Sequence, residues 1–195
     1  MTYPALTRAG LMLLLTALLG IGVGCSAGPS NTIDRWAAER GGVLVDARQD
    51  RAERTLARLS VANVTSKRLS IAVLDTSSIG AFSWPSGQVF VTRGLVDLVD
   101  DDELCAAIAH EAGHLVVDGH LPPPAALDGY RRSSRQDCEV TADLMARELL
   151  KGSSVDGQAL PRLLKKIANQ PAASPASRAQ LSRRIAQLST ADRAD

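Results

Sequence analysis

His110-Glu111-Ala112-Gly113-His114 places two histidines four residues apart, with a glutamate directly after the first. On an α-helix such a pair lies about 40° apart around the axis and roughly 6 Å along it, so both imidazoles can reach one metal ion. Zinc in a hydrolytic site takes three protein ligands and leaves a fourth position for water, which a neighbouring carboxylate deprotonates as it attacks. Glu111 is placed for that task. The leading candidate for third ligand is Glu139, which opens Glu139-Val140-Thr141-Ala142-Asp143. Glu139 and Asp143 are again four apart and share a helix face, so one can bind metal while the other supports. Accepting the free ring N–H of a zinc-bound histidine, which sets its tautomer, is the natural task for Asp143. The expected cofactor is one Zn2+ per chain. His120 lies six residues after His114, beside Gly119 and before Pro122-Pro123-Pro124, and reads as a partner of the helix C-terminus.

These residues need elements to hold them. Asp100 to Glu103 supplies an N-cap and an acidic first turn for a helix running to about Asp118, and Asp137 to Leu150 forms a second helix. Small Gly113 and Ala142 permit the two to approach closely. Upstream, residues 33–60 read as two amphipathic helices broken at Gly41-Gly42. Leu69 to Leu74 reads as a strand, and Gly80 to Trp84 and Gln88 to Thr92 form a hairpin around Pro85-Ser86-Gly87. Downstream, about Gln158 to Asn169 and Ser177 to Leu188 are amphipathic helices. Gln88, Val89 and Phe90 alternate polar and apolar side chains, and as an edge strand beside the zinc they would hold an extended peptide by backbone hydrogen bonds. The loop from Leu121 to Arg135, with Tyr130, Arg131, Arg132 and Arg135, is a candidate rim or a plain connector.

The 195 residues are 45% hydrophobic, 22% charged and only 3% aromatic, so one globular core built from Leu, Val, Ile and Ala is expected. Arg8 precedes an uncharged apolar run from Ala9 to Gly24, the layout of a secretory signal and too short for a spanning helix. Gly22-Val23-Gly24-Cys25 resembles a bacterial lipoprotein box, which would make Cys25 the lipidated first residue. The expected organisation is a signal peptide at 1–24, a lipidated cysteine and tether at 25–32, and a catalytic domain at 33–195. The protein would then sit in the cell envelope, held to a membrane by lipid and facing the periplasm from the outer membrane. Without the leader's Arg8 the bases number 21 against 21 acids, a balance that argues against nucleic acid as partner. In an oxidising compartment Cys105 and Cys138 are either free thiols or a bridge between the two metal helices.

The HExxH helix followed by a Glu-x-x-Ala-Asp helix resembles the gluzincin zinc peptidases that include the CAAX prenyl proteases and heat-shock membrane metalloproteases, metallopeptidase family forty-eight. Gly80-Ala81-Phe82 and Pro85 to Leu95 are similar to that family's upstream segment. The resemblance implies an α+β, mainly helical zincin-like domain with a small antiparallel sheet beside the HExxH helix. It also implies His110, His114 and Glu139 as zinc ligands and Glu111, assisted by Asp143, as the catalytic group. The implied activity is hydrolysis of peptide bonds in unfolded or misassembled envelope proteins. Arg178 and Arg184-Ile185 stand where the family often has Ser/Thr-His-Pro before an Arg-Ile pair, so the histidine is absent. That absence motivates a second expectation, a zinc-bearing chaperone or assembly factor with little proteolysis.

Overall fold

The computed structural model of the chain describes residues 29–62, 69–121 and 138–191. The leader, Cys25 and the loop residues Tyr130 to Arg135 lie outside the described residues. In chain order the elements are α1 (Pro29–Ala38), α2 (Ala47–Ala62), β1 (Ser70–Leu74), β2 (Ala81–Ser83), β3 (Gln88–Thr92), α3 (Arg93–Leu98), α4 (Asp101–Val117), α5 (Cys138–Leu150), α6 (Ala159–Ala168) and α7 (Pro175–Ala191). Residues 29–32, expected in a tether, are helical. No described helix is long and apolar enough to cross a membrane.

The sheet is mixed, in the order β1-β3-β2, where an antiparallel sheet was expected. β2 and β3 form the expected antiparallel hairpin, with Gly87 at φ 90° in its turn, a left-handed conformation that glycine adopts without steric cost. β1 pairs with β3 in parallel, from Ser70 opposite Gln88 to Leu74 opposite Thr92. Alternation of side chains fixes which residues share a face, but not which way a partner strand runs. Ile71, Val73, Val89 and Val91 point into the main core, while Ala72, Leu74 and Phe90 face α1 and its Trp36. Both faces are therefore covered, which is why β1 is an almost unbroken apolar run.

Packing converges on α4. Apart from its ends it is buried all round, from Glu103 to Gly113, as a helix with apolar residues on every side must be. Asp100 accepts from the Glu103 amide and the Glu103 carboxylate accepts from the Asp100 amide, a capping box that sets where the helix starts and hence the rotation of His110 and His114. α5, α6 and α2 pack around it through Leu104, Ile108, Met145, Leu149, Leu160, Leu164 and Leu59. A Cβ on Gly113 would stand 2.5 Å from the Ala142 carbonyl oxygen, so glycine there is what lets the backbones of α4 and α5 meet.

Candidate metal centre

His110 and His114 lie one helical turn apart on α4, and their Nε2 atoms are 3.2 Å from each other. From α5, Glu139 brings Oε2 to 3.5 Å from His110 Nε2 and Oε1 to 3.5 Å from His114 Nε2. A tetrahedral ion with bonds of about 2.0–2.2 Å needs ligand atoms about 3.3–3.5 Å apart, so these spacings fit a zinc site. Among the described residues His110, His114 and Glu139 form the His/Cys/Asp/Glu group able to hold an ion. Asp143 Oδ1 is 2.9 Å from His110 Nδ1, one turn along α5 from Glu139. The Nδ1 proton of neutral His110 is thereby directed to Asp143, and Nε2 keeps its lone pair toward Glu139 and His114.

A residue that sequence reasoning did not assign to the site completes it. Arg184, from α7, donates through Nε and Nη2 to the two oxygens of Asp143 at 2.7 and 2.6 Å, and through Nη1 to Glu139 Oε2 at 2.8 Å. It is 3% exposed. The available signal was its place in α7, where Leu181, Arg184 and Leu188 fall on one buried face at i, i+3 and i+7. Arg178, noted in the sequence for standing near the missing histidine, is exposed and donates to the Gln170 carbonyl.

Charges in the site favour a cation. Burial works against a positive His110, but hydrogen bonds to Asp143 and Glu139 outweigh it and take its pKa up to about 9. Burial and the adjacent His110 push His114 down. Burial also opposes ionisation of Glu139 and Asp143, yet His110 keeps Glu139, and Arg184 keeps Asp143, below the usual carboxylate range. A pocket that holds a proton on His110 against burial is one that a divalent ion fills with more favourable electrostatics.

Glu111 is buried, at 4% exposure, and with His110 and Arg184 lines a small cavity whose other walls are apolar, among them Ala81, Leu95, Leu163 and Ile167. Gln88, Val89 and Phe90 are not an edge strand. β3 is the central strand, its two sides taken by β1 and β2, and Phe90 packs on the far face. The edge near the site is β2, and Ile79 to Ala81, leading into it, line the cavity. Cys105 and Cys138 are not joined by a disulfide. Cys105 approaches the Thr55 carbonyl of α2 at 3.9 Å, about 140° around α4 from His110, so it faces away from α5. His120 is exposed, beyond the end of α4.

Residues 46–122 match the family model described as peptidase family M48. No curated protein matches the chain. The matched stretch carries α2 to α4 with both histidines and Glu111, and stops before Glu139, Asp143 and Arg184.

Proposed function

We propose, from the match of residues 46–122 to the model of peptidase family M48, that this chain is a zinc-dependent endopeptidase acting on polypeptides of the cell envelope. The observation that carries this reading is the approach of two imidazole nitrogens and one carboxylate to 3.2–3.5 Å of one another with Glu111 beside them. His110, His114 and Glu139 would hold the ion, which supplies Lewis acidity toward a peptide carbonyl and toward water. Asp143 holds the His110 ring by its Nδ1 proton. Glu111 accepts a proton from the attacking water and returns it to the departing amine nitrogen. An extended substrate adds beside β2 by backbone hydrogen bonds, and the cavity under Ile79 to Ala81 receives one of its small apolar side chains. Unfolded or misassembled chains present such extended segments, which makes quality control the biological setting that fits. Acylation of Cys25 would hold the enzyme at a membrane, and Cys25→Ser is expected to move it to the soluble fraction of lysed cells.

Glu111→Gln tests the mechanism. Bound zinc should remain near one per chain while casein hydrolysis falls by at least 10³-fold, because the metal ligands persist and the proton acceptor is gone. Unchanged turnover would refute it. One observation favours a second reading, a zinc-bearing chaperone: Glu111, His110 and Glu139 are each no more than 5% exposed. Purified protein with one zinc that suppresses aggregation of unfolded chains and cleaves none of them would select that reading.

A further inference from the structure

We infer that Arg184 is a positioning residue that makes metal affinity depend on the docking of α7, an inference that rests on the metal-binding part of the proposed function and not on the hydrolysis. A buried guanidinium costs several kcal/mol in desolvation unless its donors are matched by acceptors. One carboxylate would offer a bidentate pair. Arg184 instead divides its fork between two carboxylates of α5 that have different tasks: Asp143, which orients His110, and Glu139, which faces both histidines. These two acids lie four apart on one helix, a spacing at which like charges repel. The cation between them lets both stay ionised and fixes the rotation of each carboxylate.

The fork also explains why the residue is arginine. Lysine provides one compact charge on a flexible stem and cannot span both oxygens of Asp143 while reaching Glu139. Arg184 comes from an element that contributes no ligand, held in place by Leu181 and Leu188 on the same buried face. Anything that lifts that face removes the fork from both carboxylates at once. By linkage, if docked α7 tightens zinc binding, bound zinc must tighten α7 docking by the same factor.

The test uses the full chain as wild type, Arg184→Lys and Arg184→Met, with zinc affinity read by competition against a chromophoric chelator. Backbone amide exchange is followed across residues 181–188 with and without zinc. Expected are a 10-fold or greater weakening of zinc binding in Arg184→Lys, a larger one in Arg184→Met, and zinc-dependent slowing of exchange in α7 of the wild type that both variants lose. A merely structural arginine gives folded variants with wild-type zinc affinity, and their melting temperatures fall equally with and without the metal. That result overturns the inference. If neither variant folds, the wild-type exchange measurement decides alone, since α7 protection indifferent to zinc also overturns it. Wild-type protein that binds zinc, shows the coupling and hydrolyses nothing would remove the peptidase reading and leave this one standing.

Discussion

With His110 Nδ1 2.9 Å from an oxygen of Asp143, the orientation of the ring and the identity of its free nitrogen are set together. Asp143→Asn keeps the size of the side chain but loses the charge, and its amide can no longer accept on both oxygens from Arg184. The expected result is a zinc dissociation constant about 10- to 100-fold weaker, with the fold retained, measured by chelator competition and circular dichroism. An unchanged constant would mean that Asp143 only fills space. The i, i+4 spacings made His110, His114, Glu139 and Asp143 readable from their types alone, since each pair shares one helix. Arg184 was not, because it lies 41 residues beyond Asp143 and no local pattern ties the two. What makes it unusual is a charged residue at a core position of α7, and that becomes a clue only when the partners across the helix interface are known.

At the scale of elements, the site depends on how closely α4 and α5 approach. Gly113→Ala would place a methyl group 2.5 Å from the Ala142 carbonyl oxygen, and backbone cannot yield as a flexible side chain does. Separating the helices should cost about 1–3 kcal/mol and move Glu139 off the histidines. Thermal melting should show the loss of stability, and zinc titration a weaker site, although no ligand has changed. α2 is held differently: Arg48 reaches Asp97, Arg51 reaches Asp101, and Arg58 reaches Asp102 at 2.7 Å, tying it to α3 and to the first turn of α4. The hydrogen bond from Arg58 holds the Asp102 carboxyl below its ordinary 3.8. A depressed carboxylate contributes stability above its unfolded pKa and loses it as pH falls through the folded one. The pair should therefore support the fold at pH 5 and above and fade below about 3.8. Asp102→Asn should cost about 1 kcal/mol at pH 7 and leave a shallower acid limb in denaturation monitored against pH. Helix and strand positions could be read from periodicity and caps. The six residues of α3 were too few to show a period, and the central place of β3 depends on a pairing with β1 that lies outside the hairpin.

Across the whole molecule, the metal centre and the aromatic cluster occupy opposite sides of the sheet. Trp36 of α1 packs against Phe82, Phe90 and Trp84 at ring separations of 5.3, 5.1 and 5.5 Å, with the Arg40 guanidinium 4.1 Å from its ring. This concentrates the aromatic residues among those described under one short helix, while the site side is packed almost wholly with Leu, Ala and Val. α1 contacts none of the elements that carry His110, His114, Glu139 or Arg184 strongly, so coupling between the two sides must pass through the sheet, whose strands β1, β2 and β3 all meet α1 or its Trp36. Sites separated in this way usually respond to mutation independently. Trp36→Ala removes a half-buried ring and should cost about 2 kcal/mol, less than the 3–5 kcal/mol of a fully buried one. Its zinc affinity should nevertheless stay within a factor of two of wild type at a temperature where the variant is folded, the reverse of the pattern expected for Arg184→Lys. Denaturant unfolding and chelator competition on the same preparations separate the two effects. A parallel loss of zinc affinity in Trp36→Ala would mean instead that the sheet transmits strain from its aromatic face to Gly80 and Ala81, and through them to the wall shared with His110 and Glu111.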